Sequence, residues 1–242
     1  MAESEALPET GPLEVPGTPR PVPFEDVEDL PGFWARVGAM FQMAFTQPLE
    51  AFERVPATGG LGAPWRFLLL LSLPVFLLLA LVLLIVGVGA TLVLLDGHAA
   101  PGARPFVPFL PLGVGLVILL MPLLAFLGML LGGVLNHFFL WLWGGLRPGV
   151  GLVQTIRAYG YASAFLQVAQ ILVFIPFLGF LLQIAVQIAG MVFIGLGLAR
   201  MHRTDPWRGV CAALTPLALA FLAGIVVLVI LLPALLAAGA RA

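Results

Sequence analysis

Apolar residues recur along this chain in two patterns. Between Gly32 and about Val55 they stand mostly three or four apart, at Phe33, Trp34, Val37, Phe41, Phe45, Leu49 and Phe52, with Arg36, Gln42, Gln47, Glu50 and Glu53 elsewhere. That is the period of an amphipathic helix. Pro48 removes a backbone donor and clashes with the preceding turn, so the pattern predicts one helix before it and a short turn of helix after it. With Trp and Phe on one face and no soluble core to receive them, the stripe is expected to lie in a membrane interface or pack onto membrane-spanning helices. Past a Gly/Pro-rich linker at residues 56–64 the chain becomes almost continuously apolar, and five segments are read as crossing a bilayer: 67–95, 107–143, 161–175, 177–199 and 209–232. The second is too long for one perpendicular span; tilt or a kink at Pro122 accommodates it more readily than a break at Gly132-Gly133, where no charged or turn-forming loop intervenes.

Four amides interrupt the third and fourth segments. Gln167 and Gln170 precede the turn Ile175-Pro176-Phe177-Leu178-Gly179, and Gln183 and Gln187 follow it. A helical hairpin brings them to matching heights, where each can satisfy another across the interface. They are therefore expected to act first as structural glue and second as a polar lining.

Composition changes the picture at the ends. Over 242 residues the chain is 61% hydrophobic and 10% charged with a mean hydropathy of +1.11, far from a soluble domain, where roughly a quarter of residues are charged. The expected class is an all-α integral membrane protein: a five-helix transmembrane bundle over 65–238, preceded by an interfacial amphipathic helix and linker over 32–64. Residues 1–31 hold seven prolines and eight acids, few large apolar side chains, and are expected to form a disordered tail; a docking motif around Phe24-Glu25-Asp26-Val27 is the alternative there. The acidic start does not read as a secretory signal. One cysteine, Cys211, excludes an intramolecular disulfide and a multi-cysteine metal site.

Charge also orients the chain. With five spans, Arg54, Arg66, Arg147, Arg157, Arg200, Arg203 and Arg208 fall on one side and Arg104 and Arg241 on the other. Arginine-rich loops stay cytoplasmic, which places the N-terminus inside and the C-terminus outside a bacterial inner membrane.

Two groups of side chains are candidates for chemistry. A polar membrane cluster comprises Asn136, His137, Gln167, Gln170, Gln183 and Gln187; His137, with no acid or second His within helical reach, is expected to be neutral and bonded to a carbonyl or a glutamine. A cytoplasmic interaction surface comprises Arg147, Arg157, Arg200, His202, Arg203, Trp207 and Arg208, read as an interfacial collar for anionic headgroups or a protein partner. His202 and Asp205 make a weak pair for a metal. Catalytic motifs are missing: beyond the N-terminal region the only acids are Asp96 and Asp205, and no nucleophile motif or phosphate-binding Gly loop occurs. Six glycines, at 128, 132, 133, 190, 195 and 197, are expected to allow close helix packing.

Short motifs add a resemblance. Gln47-Pro48-Leu49-Glu50-Ala51-Phe52-Glu53-Arg54, Asn136-His137 ahead of Gly144-Gly145, Thr155-Ile156-Arg157-Ala158-Tyr159, Ile175-Pro176-Phe177-Leu178-Gly179 and Gly195-Leu196-Gly197-Leu198 before His202 together resemble the Yip-domain proteins across about residues 45–235. Eukaryotic members are five-helix membrane proteins of the early secretory pathway that interact with Rab GTPases. The resemblance implies a cytoplasmic N-terminus and an external C-terminus; for a bacterial-type member it supplies no known activity, and Rab binding is not carried over.

The functional expectation is a non-enzymatic inner-membrane adaptor or membrane-organising factor, without cofactor or nucleic acid, meeting anionic lipid and a cytoplasmic protein; homo-oligomers are compatible with it. The alternative is a small transporter or channel with a path lined by the glutamines and His137.

Overall fold

In the computed structural model, which describes residues 20–93 and 110–239, the elements are α1 (Phe33–Thr46), α2 (Pro48–Glu53), α3 (Gly62–Val93), α4 (Leu110–Leu142), α5 (Leu152–Ala169), α6 (Gly179–His202) and α7 (Pro206–Gly239), with a 3-10 helix at Gln170–Phe174. No strand occurs among the described residues. Pro48 starts α2 at its first helical position, where its missing N–H would be unpaired in any case. Pro74, Pro122, Pro216 and Pro233 sit inside α3, α4 and α7 without ending them, and α4 runs unbroken through Gly132-Gly133.

Four helices are long and apolar enough to cross a membrane: Gly62–Leu92, Leu112–Leu142, Gly179–His202 and Pro206–Leu231. Their outer faces expose Leu77, Leu119, Phe221 and Ile230, an apolar area that a water-soluble monomer does not carry. This is a membrane protein. The segment expected at 161–175 differs from the other four. Its helix starts earlier, at Leu152, and carries Gln154, Thr155, Arg157, Tyr159, Tyr161 and Ser163, so it is not among the four apolar helices. It is instead the most enclosed element, with Thr155–Ala158, Gly160, Tyr161, Ser163 and Ala164 buried.

Helix contacts explain why. α3 packs on α4 and α5, α4 on α5 and α7, and α6 on α5 and α7, which leaves α5 touching three neighbours. Gly160 faces Met129 of α4 and Pro64 of α3, and a Cβ there would lie 2.7 Å from Met129 Sδ and 3.0 Å from Pro64 Cβ. Burial is concentrated at one end of the bundle, where α3, α5 and α7 begin and α4 and α6 finish. Towards the other end, no residue of 76–92, 112–128, 180–193 or 214–231 is buried.

The N-terminal region departs from expectation. From residue 20 the chain is placed, and Val22, Pro23 and Phe24 are buried; Phe24 contacts the rings of Phe67 at 5.0 Å and Tyr161 at 6.3 Å. The disordered-tail expectation is thus corrected for residues 20–31, while 1–19 lie outside the described residues. Next, α1 turns Val37, Met40 and Met43 inward and leaves Trp34 and Phe45 exposed, and α2 sets Phe52 against Phe193 and into the space left by Gly197.

Of the six glycines expected at helix contacts, Gly128 has open space around it, whereas the other five face a neighbouring helix. At Gly195 a Cβ would lie 2.6 Å from Val210 Cα and 2.7 Å from Gly209 O, both backbone atoms. Gly195→Val should therefore destabilise the α6–α7 pair by about 1–3 kcal/mol. Unfolding temperatures in detergent check this, with Gly128→Val as the variant expected to lose no packing.

Candidate functional site

The polar side chains gather at the buried end, in two centres that share α5. In the first, the Arg157 side chain is 1% exposed. Its Nη1 donates to Pro56 O at 2.8 Å and to Thr58 O, and its Nη2 forms an ion pair with Glu25. Tyr161 Oη, one helical turn further along, donates to the other carboxylate oxygen of Glu25 at 2.6 Å. Thus one carboxylate ties the N-terminal segment to α5, while the guanidinium also holds the linker ahead of α3. A buried ion left unpaired is strongly unfavourable, and this one has a charged partner and two carbonyls. Arg157 is therefore a clamp inside the protein rather than part of an interaction surface.

In the second centre, Thr155 Oγ1 lies 2.9 Å from His137 Nδ1 and 3.4 Å from His202 Nε2, and the two imidazoles are 6.1 Å apart. The Arg147 backbone N–H donates to His202 Nδ1 at 3.3 Å. That makes Nδ1 an acceptor and places the proton of a neutral His202 on Nε2 facing Thr155, whose hydroxyl lies within bonding distance of both His137 Nδ1 and Gly151 O. A chain of hydrogen bonds so connects α4, α5, the end of α6 and the α4–α5 loop. His137 does not bond a carbonyl or a glutamine, as its sequence surroundings suggested; it bonds a hydroxyl and lies beside a second histidine 65 positions away. Neighbouring Asn136 donates to Gly132 O at 2.8 Å within its own helix and does not join the cluster.

Gln167, Gln170, Gln183 and Gln187 are all half-buried, yet no hydrogen bond joins any of them to another, and Gln183 Oε1 is buried without a partner. The hairpin turn forms, with Gly179 N donating to Ile175 O at 2.9 Å, but the amides do not set its register. What holds α6 is packing: its Gly190 against Leu166 of α5, and its Gly195 against Gly209 of α7.

On the arginine face, His202 is buried while Arg147, Arg200, Arg203 and Trp207 are exposed. Arg200 pairs with Glu53 at 2.8 Å, and Arg208 with Asp205 at 3.2 Å. Trp143 donates to Thr215 Oγ1 at 3.2 Å and stacks edgewise on Trp207 at 6.1 Å; the Arg208 guanidinium sits 5.5 Å from the Trp207 ring. His202 and Asp205 thus serve different partners, and no three His, Cys, Asp or Glu side chains form a metal-sized group among the described residues.

These motifs occupy the region that a family profile covers. The Yip1 domain matches residues 43–236. The chain belongs to the Yip1 family. No curated protein and no solved structure matches it. Both histidines, Thr155, Arg157 and Tyr161 fall inside the matched Yip1 region, whereas Glu25 and most of α1 precede it. The ion pair therefore fastens an N-terminal addition onto the Yip1 core.

Reading the sequence missed Glu25, Thr155 and Tyr161 as partners. The only signal for the first was the Phe24-Glu25-Asp26-Val27 motif, which docks within its own chain. Glu25→Ala should lower stability by about 3–5 kcal/mol because it leaves a buried guanidinium without a counter-charge. Adding Arg157→Met should recover part of that loss. Melting temperatures of the single and double variants in detergent measure the coupling; strictly additive losses would show that the pair is not coupled.

Proposed function

We propose that this Yip1 protein is a non-enzymatic multi-pass adaptor or membrane-organising factor of a bacterial inner membrane, which recruits partners at its arginine-bearing end. The observation supporting this is the asymmetry of the molecule: buried polar centres, loop arginines, α1, α2 and the N-terminal segment all gather at one end, and the other half of the bundle is mostly exposed apolar helix. Anionic headgroups and a cytoplasmic protein are the partners that such a face suits.

Five spans fit this reading. The 18 residues of α5 extend about 27 Å and the 3-10 helix adds about 10 Å, close to the hydrocarbon thickness of a bilayer. Enclosure by α3, α4 and α6 and the clamp on Arg157 let a helix this polar cross. The seven-to-two arginine bias then puts the N-terminus in the cytoplasm and the C-terminus outside. Exposed Trp34 and Phe45 on α1 suit an interfacial position beside the bundle.

Topology is tested by cysteine labelling. In a Cys211→Ala background, a cysteine at Ala242 should react with a membrane-impermeant maleimide in intact cells, and one at Ala2 should react only after lysis. Four spans would put both on one side. For the adaptor role, tail deletion should stop at residue 19, because deletion to 31 also removes Glu25. Crosslinking in native membranes should recover a cytoplasmic protein with the full chain and much less with the shortened one; identical recovery would remove the tail from recruitment.

A further inference from the structure

The arginine end contains a polar cleft of about 470 Å³, and we infer that it is a binding site for a phosphate group. Three arginines line it, Arg147, Arg200 and Arg203, against one acid, Glu53. Glu53 is already paired with Arg200 at 2.8 Å. The side chains of Arg147 and Arg203 have no hydrogen bond or ion pair among the described residues, so the cleft holds an excess of two positive charges. Two unpaired guanidinium groups beside the Arg200–Glu53 pair make the cleft electropositive, and a dianionic phosphate supplies the charge and the paired acceptors that their N–H donors can use.

Two features show that these arginines are placed by the fold. Arg203 is the C-cap of α6, with φ 50° and ψ 45° in the left-handed region, and Thr204 N closes the turn on Ala199 O at 2.9 Å. Glycine or asparagine normally takes this position, because a Cβ there is strained. A long cation at that point has an unfavourable backbone conformation and faces the cleft. Arg147, in turn, is held through its backbone N–H by His202 Nδ1, and His202 is itself fixed by Thr155. The buried histidine–threonine chain thus positions the loop that carries one wall of the cleft. Val150 and Gln154 line the same wall, where Gly151 stands at the N-cap of α5 and gives no side-chain cap. Gln154 is fixed by its bond to Val55 O at 2.8 Å.

The phosphate can belong to a lipid with a terminal phosphomonoester or be free in solution. This inference rests on reading the arginine end as the interaction face, but binding by the purified protein succeeds or fails independently of partner capture.

The test uses the full chain in detergent. Its unfolding temperature is followed during titration with inorganic phosphate at constant ionic strength, and separately with short-chain phosphatidic acid against short-chain phosphatidylcholine. Arg203→Gly is the informative variant: it removes the charge and relieves the left-handed strain, so it should fold at least as well as the parent. Stabilisation of the parent by phosphate, with apparent affinity about tenfold or more weaker in Arg203→Gly and in Arg147→Gln, supports the site. A response to phosphatidic acid alone assigns it to a lipid headgroup, and a response to inorganic phosphate assigns it to the free ion. The inference is overturned if neither ligand stabilises the parent, or if the variants respond as the parent does.

Discussion

A single buried cation constrains this molecule. Arg157 stands on the most enclosed helix, and its guanidinium is removed from water. Burying that charge is strongly unfavourable unless partners inside the protein meet it; Nη1 and Nη2 are met in this way, while Nε has no partner. Glu25 supplies the charge, Pro56 and Thr58 supply carbonyls, and Tyr161 fixes the carboxylate. Satisfying one side chain on α5 thereby fixes the N-terminal segment and the path of the linker into α3. The burial of Val22 and Phe24 beside Phe67 and Tyr161 follows from that path.

Polar groups and packing are distributed by the same logic. The tight end of the bundle holds the clamp, the histidine–threonine chain and the glycine contacts at Gly160, Gly133 and Gly195. There, buried hydrogen bonds are worth having because the neighbouring backbones come close enough to exclude water. At the other end, the helices are mostly apolar apart from the half-buried Gln183 and Gln187 on α6, and lipid is as good a neighbour for apolar faces as another helix.

Two local sequence features acquire meaning only in combination. Arg203 in a left-handed cap is unfavourable in isolation; beside Arg147 and Arg200 it completes a cationic cleft. His202, which looked like part of an exposed collar, is buried and acts through the Arg147 backbone. Conversely, the glutamines expected to pair across the hairpin do not, since α5 gives way to a 3-10 helix at Gln170 and α6 is held chiefly by α7.

Hydrophobic length and period by themselves determined the all-helical class, the break at Pro48, four of the five segments read as spans and the turn at Ile175–Gly179, because each depends on local backbone chemistry and on burial in lipid. Glycine spacing likewise marked five of the close helix contacts, although Gly128 shows that the residue type does not reveal whether a neighbour is present. Partnerships were decided by the tertiary structure: Glu25 with Arg157 across 132 positions, His137 with His202 through Thr155, and three arginines in one cleft. Such pairs depend on which helix faces meet and where loops return. A chain whose helices are apolar on every side has no periodic signal to encode that choice.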